Sequence, residues 1–130
     1  MPLTRLRRVL VVEDETLIAM LYEDYLVKAG WSVTVADTGD TALDAARNAA
    51  PEVVVLNLKL PSGPVGPDLL GQIRALRPFL PAVVVTGYEL TDGERRALDL
   101  AGGGPPVGLL QKPADPDDLV AEVTRRWAAA

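Results

Sequence analysis

Short runs of uninterrupted apolar residues alternate in this chain with longer stretches whose apolar positions recur every three or four residues. Val9, Leu10, Val11 and Val12 form one run, and Val53, Val54, Val55 and Leu56 form another. Runs this short and this rich in β-branched residues predict strands buried on both faces, as in a parallel sheet. Residues 81–86 and 107–111 read the same way, while residues 31–36 alternate like a strand with one wetter face. Between the runs the period changes. Leu17, Ile18, Leu21, Tyr25 and Leu26 predict one apolar face of a helix that stops near Gly30. Asp37, Thr38, Gly39 and Asp40 are turn and cap chemistry ahead of a small-residue helix carrying Ala42, Leu43, Ala46 and Ala49. Pro67 suits the first turn of a third helix with a stripe of Leu69, Leu70, Ile73 and Leu76. Thr91 and Asp92 cap a weaker helix reaching about Ala101, with little apolar surface beyond Ala97, Leu98 and Ala101. The acidic start at Asp115, Asp117 and Asp118 suits the dipole of a last helix facing inward through Leu119, Val120, Val123 and Trp127.

Five strands alternating with five helices predict a three-layer α/β domain with a parallel sheet. Right-handed crossovers leave the flavodoxin-like strand order 2-1-3-4-5 as the natural choice. That order brings the C-terminal ends of strands 1, 3, 4 and 5 to one rim, the edge at which such sheets bind ligands. The residues standing there are Glu13 and Asp14, Asn57, Thr86, and Lys112.

Composition narrows the chemistry available at this rim. The 130 residues include no Cys and no His, which removes disulfides, thiolate metal sites and imidazole bases. Thirteen basic against 18 acidic residues give a net charge of -5, which argues against direct nucleic-acid binding. No apolar run approaches the roughly 20 residues that span a bilayer, and the segment from Met1 to Val12 is too short for a secretory core. A cytoplasmic single domain over residues 1–130, with no membrane contact, is expected. Adjacent carboxylates at Glu13 and Asp14 favour a hard cation such as Mg²⁺, to which Asn57 could add its side-chain carbonyl oxygen. Thr86 and Lys112 offer a hydroxyl and an ammonium suited to phosphoryl oxygens. Each residue alone is ordinary for a strand end, but their convergence on four central strand ends is not.

In this combination Glu13-Asp14, Asn57 followed by Pro61, Thr86-Gly87 and Lys112-Pro113, the chain resembles response-regulator receiver domains of the CheY-like superfamily. The likeness covers about residues 7–127. It implies a non-enzymatic module of a two-component phosphorelay. Mg²⁺ would be held by Glu13, Asp14, the side chain at 57 and the backbone carbonyl of Lys59. Thr86 would grip the transferred phosphoryl group and Lys112 would pair with it. It further implies a cis peptide before Pro113, a histidine kinase or phosphotransfer protein as donor, and a homodimer or partner face on helix 4, strand 5 and helix 5.

Three features depart from that family pattern. The family's phosphoacceptor is an Asp, whereas the Asn57 amide is uncharged with a delocalised nitrogen lone pair, so it should neither accept phosphate nor hold Mg²⁺ as strongly. Either an engineered block or a natural phosphorylation-independent receiver would carry this residue. Leu109 occupies the switch-aromatic position, three before the Lys. The loop of residues 62–67 is longer and richer in Pro than usual. Two other functions remain to be weighed. A metal-dependent phosphohydrolase of a related fold would need an Asp at 57 and usually a second at 59, where this chain has Lys59. A flavodoxin-like cofactor binder would need a phosphate loop where Glu13, Asp14 and Glu15 stand.

Overall fold

The computed structural model describes residues 6–130; the first five residues of the segment Met1 to Val12, too short for a secretory core, lie outside them. Five parallel strands form one sheet in the order β2-β1-β3-β4-β5, which is the expected flavodoxin-like arrangement. They are β1 (Arg8–Val12), β2 (Ser32–Ala36), β3 (Val53–Asn57), β4 (Ala82–Thr86) and β5 (Gly108–Gln111). The helices are α1 (Thr16–Lys28), α2 (Gly39–Asn48), α3 (Gly66–Leu76), α4 (Asp92–Leu100) and α5 (Pro116–Ala129). Among the described residues no helix is long and apolar enough to cross a membrane.

Strand alternation explains why the central runs have no polar member. Leu10, Val12, Val54, Leu56, Ala82 and Val84 point to one side of the sheet, against Ala42, Ala46, Leu69, Leu70, Ile73 and Leu98 of α2, α3 and α4. Val9, Val11, Val53, Val55, Val83 and Val85 point to the other, against Tyr22, Leu26, Leu119 and Val123 of α1 and α5. Both faces being covered, either parity of a β1 or β3 residue is apolar. Edge strand β2 is half wet except at Ala36.

At the N-terminal edge of the sheet Trp31 and Trp127 meet edge to face with centroids 5.4 Å apart. The Arg7 guanidinium lies over both rings, at 5.9 and 5.1 Å. The Trp127 indole donates to Glu52 at 2.9 Å.

Two helices differ from their expected faces. α1 turns Ala19, Tyr22 and Leu26 inward, whereas Leu17 is 81% and Leu21 43% exposed. The helix is apolar on most of its circumference, so three- and four-residue spacing fits two faces and packing against the sheet selects one. Burial, then Glu13 and Glu15, raise the Tyr22 phenol pKa above its ordinary value. In α3 the inward stripe is Leu69, Leu70, Ile73 and Arg74, while Leu76 is 37% exposed. Arg74 itself is 1% exposed. Its Nε donates to Leu80 O at 2.9 Å, Nη1 to Ala101 O at 2.9 Å and Nη2 to Pro105 O at 2.8 Å. Burial lowers the pKa of this guanidinium, and the nearby Asp99 carboxylate opposes that shift.

Helix α4 starts with a capping box in which Thr91 and Glu94 satisfy each other's backbone N–H groups. The Thr91 backbone bond holds the Glu94 carboxyl below its ordinary pKa. Only Leu98 of this helix is buried. The turn entering β4 contains Phe79 at φ 62°, a residue 70% exposed. A bulky side chain in the left-handed region is strained. Phe79→Asn is expected to raise stability by about 0.5–1 kcal/mol, because Asn tolerates this backbone better. An unchanged or lower urea midpoint would show that contacts of the ring outweigh the strain.

Candidate functional site

The ends of β1, β3, β4 and β5 surround a recess of about 300 Å³ lined by Asp14, Glu15, Asn57, Leu58, Lys59, Thr86, Gly87, Tyr88 and Lys112. Glu13 lies beneath it, 2% exposed. Its backbone N–H donates to Ala36 O at 2.9 Å, continuing the sheet one residue beyond β1. Asp14 follows on the exposed side, so the two carboxylates leave the strand in different directions.

Asn57 closes β3 and is 7% exposed. Its amide nitrogen donates to Glu13 Oε2 at 3.1 Å, Asp14 Oδ1 at 3.0 Å and Lys59 O at 2.8 Å. Glu13 Oε2 also accepts the Glu15 backbone N–H at 3.2 Å. Glu13 Oε1 faces the Lys112 ammonium at 2.9 Å. That contact is an ion pair outside hydrogen-bonding angles, and Oε1 receives no hydrogen bond. Lys112 is held where β5 ends by its own N–H, which donates to Thr86 O at 2.7 Å. The Lys112–Pro113 peptide bond is cis.

Thr86 is 2% exposed and its hydroxyl is engaged locally. It donates to Tyr88 O at 3.1 Å and accepts the Tyr88 N–H at 3.2 Å. The Lys59 ammonium stands 5.3 Å from the centre of the Tyr88 ring, so these two side chains frame the recess from opposite loops. Tyr88 reaches on to Glu94 of α4 at 3.4 Å. Burial is the first cause that raises its phenol pKa, followed by Glu94. Leu109 lies away from this group, partly buried against the core beneath α2, α3 and α4.

The residues expected at the rim are thus together, and Leu109, at the switch-aromatic position, stands apart from them. Their hydrogen bonds differ from the expected ones at two points. The Asn57 amide presents its nitrogen, not its oxygen, to the acidic pair, and the Thr86 hydroxyl serves its own turn. Tyr88 was not singled out by sequence; its one signal was its place two residues beyond the threonine that ends β4.

Chemically, the site offers the carboxylates of Glu13, Asp14 and Glu15, the Asn57 amide, the hydroxyls of Thr86 and Tyr88, and the ammonium groups of Lys59 and Lys112. Among the described residues no group of three or more acidic, His or Cys side chains converges as a metal cluster. Glu13 Oε2, Asp14 Oδ1 and Lys59 O are hard oxygens of the kind Mg²⁺ takes. As arranged they do not fit a metal, because the Asn57 amide nitrogen stands between them and directs its two hydrogens at these three oxygens.

Comparison with known proteins places these features in a family. Residues 9–124 match the model of the response regulator receiver domain. The probable transcriptional regulatory protein TcrX of Mycobacterium tuberculosis is 38% identical over 96 residues, which are 74% of this chain and 40% of that protein. The chain therefore spans less than half the length of that curated relative. Among solved structures, a CheY-like receiver domain protein from Methanospirillum hungatei JF-1 superposes with a TM-score of 0.83. It is 27% identical, and the match covers 96% of each chain. The receiver domain of sensor histidine kinase PA1611 from Pseudomonas aeruginosa PAO1 has a TM-score of 0.77 at 24% identity, covering 95% of this chain and 99% of that one. Its structure has a magnesium ion coordinated in the active site cleft.

Proposed function

The chain belongs to the response regulator receiver domain family of two-component signalling, and from that premise we propose that it works as a receiver without phosphorylation. Receiver domains are signalling modules that interact with histidine kinases or phosphotransfer proteins. In this one, residue 57 stands at the acceptor position and carries an amide. The observation that carries this reading is the Asn57 side chain at the C-terminal end of β3, buried and bonded to Glu13, Asp14 and Lys59. A carboxylate attacks phosphorus with a charged oxygen lone pair; a neutral amide offers no comparable nucleophile. Receiver domains generally bind Mg²⁺ in this cleft. Replacing a carboxylate by an amide removes one negative charge and weakens that binding here.

With no acyl phosphate formed, the state of the recess is set by Asn57 and by the partners the domain meets. Those partners are a histidine kinase or phosphotransfer protein at the recess, and an output partner or second copy on α4, β5 and α5. Leu109 supplies no aromatic ring for a rotamer switch, so any readout passes through the Thr86–Tyr88 turn and α4. The Tyr88–Glu94 contact supports that route.

The test is phosphoryl uptake. Asn57→Asp, incubated with Mg²⁺ and a small acyl phosphate, is expected to gain one phosphoryl group by intact mass, and the Asn57 chain none. An Asn57→Asp protein that folds and gains none would sink the acceptor assignment. Uptake by the Asn57 chain itself would sink the phosphorylation-independent reading.

A further inference from the structure

We propose that the Asn57 amide is a built-in substitute for the divalent cation of this recess, so that metal must compete with the side chain to enter. The proposal deepens the reading of residue 57 as the acceptor position and rests on it. Three oxygens from separate places, Glu13 Oε2 after β1, Asp14 Oδ1 beyond it and Lys59 O after β3, converge within 2.8–3.1 Å of one nitrogen. Two of them belong to carboxylates that repel each other when nothing of opposite polarity lies between them. An amide NH₂ has two hydrogens and a partial positive charge. With three acceptors around it, at least one hydrogen is shared.

The orientation is fixed by those acceptors. Turned over, the amide would set its own oxygen against three others, leaving Glu13 Oε2 with the Glu15 N–H alone and Asp14 Oδ1 without this donor. The Lys112 ammonium neutralises the remaining Glu13 oxygen from the far side. Glu13 Oε2 and Asp14 Oδ1, the two carboxylate oxygens that meet here, are therefore both engaged by protein donors. Mg²⁺ needs the same oxygens at about 2.0–2.1 Å, so it enters only if the amide rotates away and gives up its bonds. Asp14 is exposed, which leaves the path open; the obstacle is energetic.

This separates two roles for Asn57 that predict opposite signs. If the amide were a weak metal ligand, removing it would loosen Mg²⁺. If it is a competitor, removing it tightens Mg²⁺. Calorimetric titration with Mg²⁺ alone decides between them. Asn57→Ala is expected to bind at least about tenfold more tightly than the Asn57 chain, the factor set by not having to break one hydrogen bond to a charged group. Equal or weaker binding by Asn57→Ala overturns the proposal.

A second measurement needs no variant. In ¹⁵N–¹H spectra the Asn57 side-chain NH₂ is expected to exchange with water much more slowly than that of exposed Asn48, with or without chelator. Exchange as fast as that of Asn48 overturns the proposal. The phosphodonor assay on Asn57→Asp reports the acceptor assignment separately. Uptake there, with no gain of Mg²⁺ affinity in Asn57→Ala, removes the competition and leaves the receiver reading standing. A gain without uptake upholds the competition and removes the acceptor assignment.

Discussion

Arg74→Ala is expected to lower the stability of the domain by about 3–5 kcal/mol, a large part of what a protein of this size holds in reserve. The guanidinium is buried, and its three bonds join segments far apart in sequence: Leu80 before β4, Ala101 at the end of α4, and Pro105 before β5. Truncation removes the donor from the buried Leu80 carbonyl and the partly buried carbonyls of Ala101 and Pro105, and opens a cavity where the stem lay. The effect should be local before it is global. Helix α4 buries only Leu98, and the bond to Ala101 O places a positive charge at the helix's negative end. Amide exchange around residues 98–107 should therefore accelerate more than exchange in β1 or β3. The neighbouring glycines fit the same picture. A Cβ on Gly102 would meet Arg74 Cβ at 2.5 Å, and its φ of +66° already favours glycine. A urea-derived loss below about 1 kcal/mol would mean that water replaces the guanidinium at all three carbonyls.

Lys112→Ala is expected to cost about 2–3 kcal/mol, at or below the low end of what breaking a buried ion pair costs because the lysine is partly exposed. Glu13 keeps its donors on Oε2, from Asn57 and Glu15, but Oε1 has only the ammonium. Without it, a nearly inaccessible carboxylate oxygen faces nothing. The pairing predicts a measurable coupling. Glu13→Gln should destabilise the Lys112→Ala protein by at least about 1 kcal/mol less than it destabilises the parent. Additive losses in the four urea curves would show that the two side chains do not stabilise one another.

The strands and the rim were legible in the sequence because a doubly covered parallel sheet forces apolar residues onto both parities of Val9 to Val12 and Val53 to Leu56. Once the strand order follows, the residues after each run must share an edge, so Glu13, Asp14, Asn57, Thr86 and Lys112 could be grouped without coordinates. What lay beyond that reading depends on choices that spacing does not encode. Leu17 and Leu21 read as core as well as Ala19 and Tyr22 do, and only contact with the sheet decides. Arg74 sits four residues after Leu70 on the same face, but its charge marks it for solvent until three carbonyls are found around it. Asn57 names an amide but not which end of it meets the acids. That is settled by how many acceptors converge on it.

The paired indoles at the opposite edge of the sheet determine what light can report. Trp31 and Trp127 couple the start of β2 to the last turns of α5 beneath one guanidinium, a sheet length away from Asn57. Intrinsic emission will therefore follow the docking of α5 and stay nearly silent to events at the recess. Tyr88, beside Lys59 and bonded to Glu94, is the natural position for a spectroscopic label. Emission and label signals that part company during unfolding would reveal the α4 edge loosening while the α5 edge still holds.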